Sequence, residues 1–127
     1  MKKKYRLRKK SDFDEIFEKG KSIKTSNLIF LYIPEKSGNK EKNQNSLRIG
    51  VRVPKKKCKR AVDRNYLKRV IWATHSKLNL EELPPNSSIF LYTSFFLSKF
   101  SKVKKINFLD LERDVKKIYN TLSKRCS

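Results

Sequence analysis

The chain has 127 residues, with 33 Lys and Arg against 12 Asp and Glu, for a formal net charge of +21 and an isoelectric point near 10.2. That length holds one domain, residues 1–127, with a modest core, and 37% hydrophobic residues exclude a disordered basic tail. No apolar run approaches the roughly 20 residues of a membrane helix; the lone His75 excludes a His-based metal site or triad, and Cys58 and Cys126 fit neither metal spacing nor a disulfide scaffold. No basic-then-apolar leader is visible, so the chain is expected in the cytoplasm, with a polyanion as partner and nucleic acid as the leading candidate.

Residues 1–8 read as a basic arm. Ser11, with Asp14 three residues on, predicts a capping-box-like helix start, and Asp12 and Glu15 place negative charge at the favourable end of the dipole. Phe13, Ile16 and Phe17 make its apolar stripe, and Gly20 closes it. From Ser22 to Ile33 the pattern is that of a strand, with an unbroken apolar run from Leu28 that Pro34 stops. Residues 35–46 are polar and of low complexity, the composition of a mobile loop. Leu47, Ile49, Val51 and Val53 alternate with Arg48, Gly50 and Arg52, as in a half-buried strand. A helix over 59–78, the longest in the chain, is predicted next, ended before Pro84-Pro85. Ile89 to Tyr92 read as a buried strand, and 94–106 as irregular despite Phe95, Phe96, Leu97 and Phe100. Asn107 caps a last helix with Asp110 at its third position and Leu111, Val115, Ile118, Tyr119 and Leu122 along one stripe.

The charge is concentrated. Arg52 to Arg69 carries nine basic residues in 18 (Arg52, Lys55, Lys56, Lys57, Lys59, Arg60, Arg64, Lys68 and Arg69), opposed only by Asp63. A helical wheel at about 100° per residue gathers Val62, Tyr66, Leu67, Val70, Ile71 and Ala73 on one half. Arg64, Asn65, Lys68 and Arg69 gather on the other, with Trp72 and His75 extending that side, and Asp63 falls on the apolar side. Repulsion among so many like charges calls for a bound polyphosphate, whose neutralisation releases counterions and makes binding salt-dependent. Helix-turn-helix, zinc-finger and basic-zipper spacings are missing. Phe13, Phe17 and Tyr32 are candidates for stacking on single-stranded RNA, or else plain core.

These residues resemble a known family. Arg48-Ile49-Gly50-Val51, Pro54-Lys55-Lys56 and the run Lys59-Arg60-Ala61-Val62-Asp63-Arg64-Asn65-Tyr66-Leu67-Lys68-Arg69 look like the signature of the bacterial ribonuclease P protein subunit. Arg6-Leu7, Asp12-Phe13, Phe17 and Gly20 match its opening helix. The chain departs from the family where Tyr66 replaces the second Arg of Arg-Asn-Arg. It departs again where Pro54 replaces a small residue, where Cys58-Lys59-Arg60 replaces a Gly-containing turn, and at Thr93-Ser94-Phe95 after the last strand.

The resemblance implies an α+β two-layer sandwich, a four-stranded mixed sheet with three helices ordered αβββαβα and a left-handed βαβ crossover. It implies a subunit of an endoribonuclease whose catalytic centre lies in the RNA, so no residue of this chain is assigned a catalytic or metal-binding role. Mg²⁺ would be bound mainly by that RNA, and the partners would be ribonuclease P RNA and precursor tRNA, with neither membrane nor DNA. Arg64, Asn65, Lys68 and Arg69 would contact the catalytic RNA, with Lys55, Lys56, Lys57, Lys59 and Arg60 near its phosphates, and Arg52 would be a further RNA-binding residue. Phe13 and Phe17 would line a cleft for the 5′ leader. Tyr32 is preferred over Leu31 as the third cleft residue, because a tyrosine can stack and still hydrogen-bond. The competing readings are a structural ribosomal-type RNA-binding protein and a protein nuclease.

Overall fold

The computed structural model describes residues 6–7, 9–34, 47–76, 78, 83 and 86–126. In chain order they form α1 (Lys10–Lys19), β1 (Lys21–Lys24), β2 (Leu28–Pro34), β3 (Arg48–Val51), α2 (Ala61–Thr74), β4 (Asn86–Tyr92), α3 (Ser94–Val103) and α4 (Phe108–Cys126). The sheet order is β1-β2-β4-β3. β1/β2 and β2/β4 are antiparallel, whereas β3 lies parallel to β4, Val51 beside Phe90, with α2 as the crossover. The four-stranded mixed sheet is of the expected α+β class, with a fourth helix added, and helices cover both of its faces where two layers were expected.

The stretch read as one strand from Ser22 is a hairpin. Thr25 turns the chain, its backbone N–H donating to the Leu28 carbonyl (2.9 Å) and its hydroxyl donating to Asp114 of α4 (2.9 Å). Asn27 donates to the same carboxylate (3.1 Å), so the turn is pinned to the last helix by an acid that sequence spacing does not reveal.

The two faces of the sheet are packed differently. Leu28, Phe30 and Tyr32 of β2, and Phe90 and Tyr92 of β4, point to the side covered by α2, α3 and α4. Phe30 there meets Phe90 at 4.9 Å and Tyr119 at 5.7 Å between ring centroids, contacts that add directional attraction to burial. Leu31, Ile33, Ile89 and Leu91 point the other way, against Leu7, Phe13 and Ile16. Tyr32 is therefore not on the face of Phe13 and Phe17. It is 1% exposed, stacked 5.5 Å from Phe30, with its hydroxyl accepting from Arg125 of α4. Strand alternation places Leu31 on the Phe13 side instead.

Other expectations are corrected. The helix at Ser11 begins at Lys10, and its N-cap, Lys9, makes no side-chain cap bond, so the capping box does not form. Gly20 does close it, its N–H donating to the Ile16 carbonyl (2.8 Å). Its need for glycine is spatial: an added Cβ would lie 2.5 Å from that carbonyl oxygen. α2 is shorter than predicted, and α4 is the longest helix described. Within α2, Val62 and Tyr66 are exposed (66% and 43%). His75, placed on the basic side by the wheel, is instead buried just past the helix end. Its Nδ1–H donates to the Ile71 carbonyl (2.8 Å), which leaves Nε2 to accept from the Tyr119 hydroxyl (2.8 Å). Burial pushes its pKa down to about 4.

Of the basic arm, residues 1–5 and 8 lie outside the described residues, but Arg6 and Leu7 are bound. Arg6 bridges to Ile49 in parallel register, and buried Leu7 donates its N–H to the Ile49 carbonyl (2.9 Å), so this stretch extends the sheet edge beside β3. The predicted loop at 35–46 also lies outside the described residues. The segment 94–106 is mostly helical. Thr93 caps α3 by accepting from the Phe96 N–H (3.2 Å), and Phe96, Leu97 and Phe100 are buried. Asn107 caps α4 as predicted, accepting from the Asp110 N–H (3.2 Å).

Candidate RNA interface

Two surfaces carry the predicted residues, and β3 connects them. Beyond β3, Arg52 continues the ladder by donating its N–H to Phe90 (3.1 Å), and the chain then turns at Pro54, whose carbonyl accepts from both Lys57 and Cys58 (3.1 Å each). Buried Cys58 anchors this loop, and burial, with the Asp63 carboxylate second, raises its thiol pKa. Arg64 reaches back from α2, donating to the carbonyls of Cys58 (2.9 Å) and Lys59 (2.8 Å). The anchored loop holds Lys55, Lys56, Lys57, Lys59 and Arg60 exposed.

On α2, Asn65 and Arg69 are exposed, with Arg64 and Lys68 half-buried beside them, so the predicted diamond forms on one side of the helix. Leu67, Val70 and Ile71 bury the opposite side. Half-buried Trp72 continues the basic side, with the Arg6 guanidinium 5.2 Å from its ring centroid. Like charges are thus held close by an apolar anchor beneath them, an arrangement that favours a phosphate backbone over water.

The second surface is built on α1 across the sheet. Gly50 makes it possible, because an added Cβ would stand 2.7 Å from the Phe13 ring. Phe13 therefore packs closely against β3 at Gly50. The Arg52 guanidinium sits 4.8 Å from the Phe13 ring centroid and 5.8 Å from that of Phe17. Phe13 is half-buried, while Phe17 is 46% exposed. The structure thus brings Phe13, Phe17 and Arg52 together and leaves Tyr32 on the far face.

The family model for ribonuclease P matches residues 1–123. The chain belongs to the ribonuclease P protein family. As a member it is the protein subunit of ribonuclease P, the endoribonuclease that matures the 5′ end of tRNA. The ribonuclease P protein component of Mycoplasmopsis synoviae (strain 53) is 34% identical over 110 residues, 84% of this chain and 89% of that one. That of Lactobacillus helveticus (strain DPC 4571) is 35% identical over 104 residues, 82% and 80% of the two chains. Among solved structures, the RNase P protein of Thermotoga maritima superposes with a TM-score of 0.70 at 20% identity, covering 90% of this chain and 94% of that one. That of Staphylococcus aureus gives 0.68 at 22% identity, covering 94% and 95%.

Sequence reasoning missed α3, which in this ribonuclease P subunit is tied to the basic loop and to α2. Lys57 Nζ donates to Ser94 at its start (2.9 Å), and Lys104 at its end donates to Asp63 of α2 (2.7 Å). That hydrogen bond is the main reason the Asp63 carboxyl pKa is lowered. Tyr66, at the position where the family's second Arg is missing, stacks on Phe100 of α3, 6.3 Å between centroids. A threonine cap followed by apolar residues at 96, 97 and 100 was the available signal. Among the described residues no group of three His, Cys, Asp or Glu could hold a metal ion. No described helix is long and apolar enough to cross a membrane.

Proposed function

We propose that the exposed side of α2 (Arg64, Asn65, Lys68 and Arg69) binds the catalytic RNA, that the loop from Lys55 to Arg60 approaches its phosphates, and that the single-stranded 5′ leader of precursor tRNA passes over Phe13, Phe17 and Arg52. The cationic helix relieves repulsion between the two RNAs, and the aromatic surface orients the leader. Arg52 over two phenylalanine rings is the observation that carries the leader assignment. It presents a cation to a phosphate and exposed ring surface to a base in one place. A purely structural binder gains nothing from leaving Phe17 half in solvent. Mg²⁺ is then a matter for the RNA, and this chain contributes binding and positioning, with RNA rather than DNA as partner.

Adding the chain to its cognate ribonuclease P RNA at low Mg²⁺ should restore 5′-leader removal. Unchanged cleavage overturns the proposal, and RNA cleavage by the protein alone would point to a nuclease in its own right.

A further inference from the structure

A cavity of about 270 Å³ lies between the loop after β3 and α3, away from the Phe13–Phe17 surface. Lys56, Lys57, Lys59, Arg60 and Lys104 surround it. Asp63 is the only acid in its wall, and Lys104 already neutralises it at 2.7 Å. Cys58, Leu97 and Phe100 form an apolar lining that strengthens electrostatic attraction at the mouth. The walls are fixed to each other. Lys57 is tied to Ser94, Arg64 holds the loop carbonyls, and Lys104 is the only described non-glycine residue in the left-handed backbone region (φ 59°). The Asp63 ion pair and the Phe100 ring, 5.3 Å from the Lys104 ammonium, hold that residue in place.

We propose that this cavity takes a backbone phosphate of the catalytic RNA, with α3 as its second wall. The inference rests on the RNA-binding reading above and extends it to a helix outside the basic motif. Excess positive charge inside a built concavity calls for an anion. The neighbouring loop and the N-terminal end of α2 are the parts already directed at the catalytic RNA, which makes that RNA, rather than the leader, the occupant. Tyr66 stacked on Phe100 couples α2 to this wall.

Ser101 is the place to test it. It lines the cavity, is exposed, and its hydroxyl bonds only the Ser98 carbonyl of its own helix. Equilibrium binding of the full chain to labelled cognate ribonuclease P RNA should weaken about tenfold for Ser101→Glu, with a shallower salt dependence. Ser101→Lys should bind at least as tightly as wild type, and Ser123→Glu, on exposed α4 surface, should stay within twofold. Thermal melting of each variant verifies folding. Ser101→Glu within twofold of wild type, or a loss matched by Ser123→Glu, overturns the proposal. So does a loss confined to precursor tRNA, measured as the precursor-to-mature affinity ratio of the holoenzyme, which would make the leader the occupant. Failure of the wild-type chain to bind the RNA at all would instead sink the broader RNA-binding reading.

Discussion

The two faces of the sheet use the same alternating strands for different ends. On one, Phe30, Phe90, Tyr119 and the neutral His75 are shut away beneath α2 and α4. On the other, α1 covers Ile16 and Ile89 but leaves Phe17 in solvent and Phe13 only half-covered, with Arg52 above both rings. The first face holds the fold together, and the second retains aromatic surface that a partner can still bury. An aromatic residue in this chain is therefore structural or functional according to the face it occupies, and Tyr32 and Phe17 mark the two outcomes.

The sharpest break of that contrast is a pair of truncations. Phe30→Ala should lower unfolding free energy by about 3–5 kcal/mol in urea titration. Phe17→Ala should change it by less than about 0.5 kcal/mol. Similar losses would show the faces to be equivalent.

Acid should act on the closed face through His75. The unfolded His75 imidazole takes a proton near 6.5, whereas the folded one resists until about 4. Its contribution is thus complete above pH 6.5 and is lost as pH falls through that window, by about 3 kcal/mol. Comparing the pH dependence of stability in wild type and His75→Gln isolates this component, and an unchanged slope would contradict the buried neutral assignment.

On the basic helix, Lys68→Ala should weaken binding to the cognate RNA by about 1–3 kcal/mol and lower the salt slope. Arg64→Ala should cost more than Lys68→Ala, because it also releases the Cys58 and Lys59 carbonyls that hold the loop. Titrations at several salt concentrations check both. The smallest effect is on the leader. Phe17→Ala should weaken precursor tRNA by about 1 kcal/mol, the low end for a stacked base, and spare mature tRNA. An equal loss for both substrates would remove the leader from this face.

Much of this was legible in one dimension, and the errors have physical causes. The basic motif could be read because charge density is a property of composition, and the last helix because Asn107 and its apolar stripe are local signals. α1 was recognised but its start was misplaced, since Ser11 makes a plausible cap on paper while the helix begins at Lys10 with no side-chain cap. His75 was misassigned because the wheel was continued past Thr74, where the helix stops. Tyr32 was misassigned because both faces of β2 are apolar, so alternation could not tell one layer from the other.

The sequence by itself determined that this is a strongly basic chain with a polyanionic partner, which segments carry its charge, and where most of its strands and helices lie, all of which follow from composition and short-range periodicity. RNA as that polyanion was implied by the family resemblance. Only the tertiary structure decided which aromatics stay available, since that depends on which helix covers each face of the sheet. It alone joined Lys104 to Asp63, 41 positions apart along the chain, and made α3 a wall of the basic cavity. Contacts between distant segments leave no periodic trace, because each partner satisfies its own local pattern and the pairing exists only once the chain has folded.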